Sequence, residues 1–176
     1  MRRHSKRQRP GQHLIPWGIT LARRVGSGIG PFDVVVTSPL ARCVETAVAM
    51  GFAVDATDPR LAGPDGTGET FPQIERVDWT EGRTSLRRLI AARGPMAAFA
   101  REQADIWIDL ALRMPDGGRG LVIGHGGAFI DGAALILAPA TPGLAAGNLA
   151  GYCEGVRVRF GERGSTELEV LLVAAG

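Results

Sequence analysis

Residues 32–42, Phe-Asp-Val-Val-Val-Thr-Ser-Pro-Leu-Ala-Arg, pass from a β-branched run to a helix start within a few positions. Residues 32–37 are short and nearly all apolar, which is typical of a strand covered on both faces of a parallel sheet. Ser38 is a preferred cap for free helical amides, and Pro39 suits the first helical position. The stretch therefore predicts a strand, a turn at Ser38, and a helix that runs on to about Met50.

A second junction of the same kind lies further along the chain. Residues 121–123, Leu-Val-Ile, form another short apolar run, and Gly-His-Gly-Gly at 124–127 leads from it into an apolar helix through Leu137. Strands that alternate with helices predict an α/β layered fold. Because ligands bind at the carboxyl ends of the strands in such sheets, we expect both junctions to border one site.

The rest of the sequence predicts the remaining helices and strands. An apolar side through Leu14, Trp17, Leu21 and Val25 predicts a helix over 12–25, most securely after Pro16. Many Gly and Pro residues predict a long irregular excursion over 55–83. The other predicted elements are a strand at 52–54, helical segments over 85–113 with a break at Gly94-Pro95, and an antiparallel edge pair at 156–160 and 168–173.

Length and composition favour one compact domain over residues 1–176. The chain has 176 residues, 45% of them hydrophobic, enough to bury about two-thirds of the unfolded surface. It has no run of about 18 apolar residues and no apolar segment of a secretory signal, so we expect a soluble, cytoplasmic protein without a membrane partner. Cys43 and Cys153 are too few for a disulfide framework and are expected to be reduced, buried thiols.

Positive charge is concentrated at the start of the chain, although the formal net charge is only +2. This concentration favours a local anion site over a wholly basic surface. No aromatic or recognition-helix pattern accompanies the basic run, so a nucleic-acid partner is not expected. The charged residues of the run are Arg2, Arg3, Lys6, Arg7 and Arg9.

Three segments in this order carry a resemblance to a known family. They are Arg3-His4-Ser5, the pattern Ser-Pro-Leu-x-Arg-x-x-x-Thr-Ala at 38–47, and Gly-His-Gly-Gly at 124–127. Together they resemble the histidine phosphatase superfamily, which includes the cofactor-dependent phosphoglycerate mutases and many broad phosphatases. The resemblance implies a three-layer α/β/α sandwich with a mostly parallel central sheet.

The same resemblance implies roles for particular side chains. His4 would be the nucleophile that carries phosphate, because it follows Arg3 as in the family's Arg-His-Gly motif. Arg3, Arg42 and His125 would form the charged cage, and Gly126 would offer an unobstructed amide to the substrate. These groups suit phosphoryl transfer because its transition state spreads negative charge over three oxygens. No metal and no cofactor are implied.

The general acid is not fixed by the sequence. Relatives usually take the proton from a glutamate in the variable stretch after the Arg42 helix. Glu69 is favoured, because its distance beyond Arg42 is similar to that in the mutase branch. Glu75, Glu81 and Asp131 remain open alternatives.

The sequence departs from the family pattern at two places near its start. Ser5 replaces the usual glycine after the histidine, and we expect the change to be tolerated. Only Met1 and Arg2 precede the motif, whereas relatives have a central apolar strand of several residues there. The first strand is therefore expected to be truncated, and we predict that the native start lies upstream of Met1.

The leading functional interpretation is a metal-independent phosphatase that hydrolyses phosphate monoesters through phosphohistidine on His4. Its partner would be a small phosphorylated substrate or a phosphoprotein. Two alternatives remain open, a phosphomutase of the same superfamily and a catalytically impaired phosphate-binding module. The sequence predicts nothing about oligomeric state.

Overall fold

The structure, a computed structural model, describes residues 1–69, 80–144, 146–161 and 166–174. These residues contain one sheet of six strands in the spatial order β3-β2-β4-β1-β5-β6. The strands are β1 (Arg2–Arg3), β2 (Val34–Thr37), β3 (Ala56–Thr57), β4 (Gly120–Gly124), β5 (Gly155–Phe160) and β6 (Thr166–Leu171). The helices are α1 (Pro16–Gly26), α2 (Ala41–Ala49), α3 (Arg83–Ala91), α4 (Pro95–Leu112) and α5 (Ala133–Leu137).

Four strands of the sheet are parallel, and two are antiparallel. β3, β2, β4 and β1 pair in parallel, whereas β5 runs antiparallel to β1, and β6 antiparallel to β5. The register sets Thr37 opposite Ile123 and Arg3 opposite Gly124. The carboxyl ends of β1, β2 and β4 therefore meet at one edge of the sheet. The mostly parallel sheet and the antiparallel edge pair are confirmed.

Helices cover both faces of the sheet. Val34 and Val36 face a core built mainly on α3, α4 and α5, and Val35 faces a smaller core built on α1 and α2. This alternation explains why β2 is apolar at every one of these positions. The predicted three-layer arrangement is confirmed, with one core on each face of the sheet.

The predicted helices are found, with a difference at α2. α1 begins at Pro16, and Pro95 begins α4 after the expected break. The helix predicted from Ser38-Pro39, however, begins only at Ala41, with Leu40 extended before it and no side-chain cap. The prediction that Ser38 caps this helix was wrong. Its hydroxyl lies instead 3.1 Å from Nε2 of His125, a partner far away in the sequence.

The second strand also lies beyond its predicted position. It is formed by Ala56–Thr57 rather than by residues 52–54. Phe52 packs edge-on against Phe32, with ring centroids 5.1 Å apart, in the core under α1 and α2. Asp55 then joins the chain to β2, since its amide donates to the Val35 carbonyl and its carboxylate accepts from the Val35 amide. The ladder with β2 then continues at Ala56, opposite Val36.

The excursion after β3 is irregular, as predicted, over its described part. A single 3-10 turn, Pro59–Ala62, interrupts it. Residues 70–79, which include Glu75 and Trp79, lie outside the described residues. Among the helices that the structure describes, none is long and apolar enough to cross a membrane.

The first strand consists of two residues in the middle of the sheet. Arg2 pairs with Ile123 of β4 and with Gly155 of β5. Met1 extends the contact, because its amino group donates to the Val156 carbonyl and its carbonyl accepts from the Val156 amide, each at 2.9 Å. The short strand is enough to bring His4 to the edge where β4 ends.

Candidate active site

The three predicted segments meet at the carboxyl edge of the sheet. His4 follows β1, Ser38 follows β2, and His125 follows β4. Together with loop residues they surround a cavity of about 260 Å³. Its lining consists of Arg3, His4, Arg7, Arg9, Arg42, Gly68, Glu69, His125, Gly126, Gly127, Ala128, Leu149 and Tyr152.

His4 is held as a neutral imidazole with one nitrogen free to react. Its Nδ1 lies 2.6 Å from the Ser5 carbonyl oxygen, which can only accept, so Nδ1 carries the proton and Nε2 the lone pair. Burial lowers the pKa of His4 to about 3; the Ser5 contact opposes this shift, and the charges of Arg3 and Arg42 add to it. Nε2 is therefore unprotonated at neutral pH, the state that an imidazole needs to act as a nucleophile.

His125 faces His4 across the cavity. The two ring centroids are 5.4 Å apart, with the rings edge to face. Arg42 Nη2 lies 3.4 Å from Nδ1 of His125, and because a guanidinium only donates, the proton of the neutral ring belongs on Nε2 and points to Ser38. Burial, followed by the charge of Arg42, lowers the pKa of His125 to about 2. One anion can contact both rings at this separation.

Two arginines, the buried Arg42 and the half-buried Arg3, each carry an unused donor beside these rings. Arg42 is only 1% exposed; its Nη1 donates to Gln12 Oε1 and its Nη2 to the Thr67 carbonyl at 2.7 Å. Arg3 donates from Nη1 to the Ala150 carbonyl at 2.9 Å. Within the described part of the chain, Nε of both arginines is buried without a hydrogen-bond partner. Buried unpaired cationic donors are costly, so the site is built to receive an anion.

The candidate acids occupy different surroundings. Glu69 lines the cavity, with Oε1 2.5 Å from Arg7 Nη2 and 3.9 Å from Arg42 Nη2. Glu81 pairs instead with Arg88 on the surface. Among the described candidates, only Glu69 is part of the cavity wall.

Asp131 is fully buried away from the cavity. Its carboxylate accepts from Arg83 Nε at 2.8 Å and from the Ala150 amide at 3.0 Å. Burial raises the pKa of Asp131, while these two contacts oppose the rise. Asp131 thus binds groups of the protein itself rather than facing a substrate.

Two glycines allow backbone to approach the charged groups closely. A Cβ on Gly126 would lie 2.6 Å from Cδ of Arg3. Gly68 has φ +68°, and a Cβ there would lie 2.5 Å from both Arg42 Nη2 and His125 Nε2. The segment 67–69 therefore lies directly on Arg42 and His125, and only glycine fits at its centre.

Ser5 fits where the family pattern has glycine. Its hydroxyl donates to the Gly18 carbonyl at 2.7 Å, and its amide donates to the hydroxyl of Thr46 at 2.9 Å. A Cβ on Gly18 would lie 2.2 Å from the Lys6 carbonyl oxygen, so Gly18 makes room for this part of the chain. The serine is accommodated by neighbours in α1 and α2, as expected.

Both cysteines are free and buried, in agreement with the prediction. Cys43 lies 3.8 Å from His125 Nε2, but burial raises the pKa of its thiol to about 12. A thiol of this kind is a poor nucleophile at neutral pH. Among the residues that the structure describes, no group of three His, Cys, Asp or Glu side chains is placed to hold a metal ion.

Several residues of the site were not identified from sequence. Gln12, Thr67 and Tyr152 contact the arginines, but they belong to no motif, and their positions depend on loops folding back over long stretches. Gly68 could have been suspected from the sequence, because several glycines lie close to it. The hydroxyl of Ser38 was predicted to cap the following helix, whereas it contacts His125.

Comparison with solved structures decides the fold. Phosphoserine phosphatase from Entamoeba histolytica, in complex with 3-phosphoglyceric acid, is similar with a TM-score of 0.69 at 19% identity, over 98% of this chain and 95% of that one. The two proteins therefore share one fold. The predicted resemblance is confirmed at the level of the fold, over nearly the whole length of the two chains.

Two further solved structures share this fold. A mycobacterial glucosyl-3-phosphoglycerate phosphatase in complex with VO3 has a TM-score of 0.64 at 20% identity, over 97% of this chain and 96% of that one. A protein named mycobacterial hydrolase 1 has a TM-score of 0.66 at 23% identity, over 99% and 97%. No protein-family profile and no curated protein sequence matches the chain.

Proposed function

We propose that this protein is a phosphatase that hydrolyses phosphate monoesters through a phosphohistidine on His4. The observation that supports it most is the state of His4: Nδ1 is tied to the Ser5 carbonyl, and Nε2 keeps its lone pair close to two arginines, Arg3 and Arg42, whose Nε donors are buried without a partner in the described part of the chain. The solved structures with this fold include two phosphatases. An imidazole held neutral among cationic donors is suited to attack a phosphorus atom whose oxygens those donors bind.

In the first step, Nε2 of His4 attacks phosphorus, and the bond from phosphorus to the ester oxygen breaks. Arg3, Arg42 and the Gly126 amide stabilise the charge that spreads over the three transferred oxygens. The leaving oxygen takes a proton from Glu69, the carboxyl group in the cavity wall. The products are an alcohol and a phosphorylated His4.

His125 contributes to the same step from the opposite side of the anion. Its ring lies 5.4 Å from that of His4 and is oriented by Ser38 and Arg42. Binding of a phosphate dianion favours protonation of this buried ring, because an opposite charge stabilises the imidazolium. The added proton lies on Nδ1, beside Nη2 of Arg42, so both groups can then donate to one phosphoryl oxygen.

In the second step, water attacks the phosphoryl group on His4. The bond between phosphorus and Nε2 breaks, and the electron pair returns to the nitrogen. The ionised Glu69 takes a proton from the attacking water, which restores the acid for the next cycle. Inorganic phosphate leaves, and no metal or cofactor takes part in this sequence.

The substrate that we propose is a small phosphorylated compound or a phosphoprotein. The cavity of about 260 Å³ supports the small-molecule class. The similar phosphoserine phosphatase binds 3-phosphoglyceric acid in its crystals, a compound of this class. We also propose that residues 1–176 act as a single domain in the cytoplasm.

A panel of phosphate esters tests the proposal. We expect the wild-type protein to release inorganic phosphate, and His4→Asn to lower kcat/KM about 10³-fold or more because it removes the attacking nitrogen. His13→Asn is the matched control, since the side chain of His13 is 76% exposed and outside the cavity. Equal activity of the wild type and His4→Asn would contradict the proposal, and transfer to an added alcohol without release of phosphate would indicate a mutase.

A further inference from the structure

The guanidinium of Arg3 is oriented by one backbone carbonyl and one ring. Nη1 donates to the carbonyl of Ala150 at 2.9 Å, and the guanidinium carbon lies 4.7 Å from the centre of the Tyr152 ring. With Nη1 engaged, the donors of Nε and Nη2 lie along the other edge of the group. The position of the Ala150 carbonyl therefore sets where this edge points.

Ala150 is in turn held from its other side by Asp131. Its amide donates to Asp131 Oδ2 at 3.0 Å, and Asp131 Oδ1 accepts from Arg83 Nε at 2.8 Å. Ala150 is 2% exposed and Asp131 is 0% exposed. A continuous chain of contacts thus runs from the buried Arg83, through Asp131 and Ala150, to the half-buried Arg3.

Arg83 ties the same chain of contacts to the helix after the excursion. It is the first residue of α3; its amide donates to the Gly147 carbonyl at 2.9 Å, and its Nη1 donates to the Gly143 carbonyl at 3.3 Å. A buried ion pair generally adds little stability over apolar residues of similar size. The ion pair between Arg83 and Asp131 is therefore better explained by the placement of neighbouring groups than by a gain in folding stability.

We infer that Asp131 is a positioning residue for Arg3, acting through Ala150, with Arg83 as its counter-ion. The inference rests on the proposed function, in which Arg3 binds the transferred phosphate. Asp131 does not touch the anion, because its two oxygens are engaged by Arg83 and by the Ala150 amide. Loss of the acceptor at position 131 releases Ala150, and Arg3 then loses the orientation that presents its free edge to phosphate.

Two double variants separate this role from the ion pair itself. Arg83→Met with Asp131→Asn removes both charges but keeps an oxygen that accepts from the Ala150 amide. Arg83→Met with Asp131→Ala removes the acceptor as well. We expect inorganic phosphate, titrated by calorimetry, to bind the Asn variant within about twofold of the wild type and the Ala variant about fivefold or more weakly. Thermal unfolding checks that each variant is folded, and Asp131→Leu replaces Asp131→Ala if the latter is not.

A second comparison asks whether the effect passes through Arg3. In an Arg3→Met background, the step from Asn to Ala at position 131 should change phosphate affinity less than twofold, because no guanidinium is left to orient. Equal losses in both backgrounds, or equal phosphate affinity of the Asn and Ala variants, would overturn the positioning role alone. A wild-type protein that binds no phosphate would contradict the proposed function as well.

Discussion

The two buried histidines should make folding stability depend steeply on acidity between pH 6 and pH 4.5. In the folded protein the pKa of His4 is about 3 and that of His125 about 2, against 6.5 for an ordinary histidine. As the pH falls through this window, the unfolded chain binds protons that the folded site excludes. The free energy of unfolding therefore falls, and each histidine contributes a loss of about 2 kcal/mol over the window, or about 4 kcal/mol together.

Urea unfolding in acetate buffers at several pH values measures this loss directly. His4→Asn and His125→Asn place a group that does not titrate at each position, so each should reduce the loss by about 2 kcal/mol and the double variant by about 4 kcal/mol. Loss that remains in the double variant comes from other shifted groups, such as the buried amino group of Met1, whose pKa burial lowers to about 5. A constant change in stability caused by the substitution cancels, because only the dependence on pH is compared. Equal losses of free energy in the wild type and the double variant between pH 6 and pH 4.5 would show that the two histidines are not the groups responsible.

Three further predictions concern catalysis. Ser38→Ala removes the hydroxyl that orients His125 and should lower kcat/KM about tenfold, whereas unchanged kinetics would exclude the orienting role. Glu69→Gln should lower kcat about 10²-fold or more for alkyl phosphates but far less for p-nitrophenyl phosphate, whose leaving group needs no proton; equal losses would exclude Glu69 as the acid. Gly68→Ala should lower kcat/KM at least tenfold, because its Cβ collides with His125. Gly66→Ala is its control, with φ +69° and open space around a Cβ; similar steady-state kinetics for the two variants would contradict the collision.

The sequence predicts those parts of the fold that depend on local pattern. The run Val-Val-Val-Thr at 34–37 has both of its faces covered, and β-branched residues are suited to such a strand. His4 and His125 could be placed at one site because each comes directly after a parallel strand, and the ends of parallel strands meet at one edge. Topology therefore brought together residues that are 121 positions apart (125 − 4).

Contacts between distant loops were not predicted, since no periodic pattern encodes them. Ser38 was assigned to its own helix, but its hydroxyl faces His125 instead. Trp17 has the helical spacing of a core residue and is nevertheless 55% exposed, with the ammonium of Lys6 5.4 Å from the centre of its ring. Arg42 donates to Gln12 and to Thr67. These two contacts depend in the same way on how the loops before and after α2 fold over this helix.

The central claim is that His4 carries the phosphoryl group between the two steps. Rapid quenching of the protein during turnover of a phosphate ester, followed by digestion and mass spectrometry under mildly alkaline conditions, locates that group. We expect one phosphoryl group on the peptide that contains His4, absent from His4→Asn and lost when acid is added. Phosphoryl transfer to His125 or to a cysteine, or turnover without any phosphorylated peptide, would contradict it.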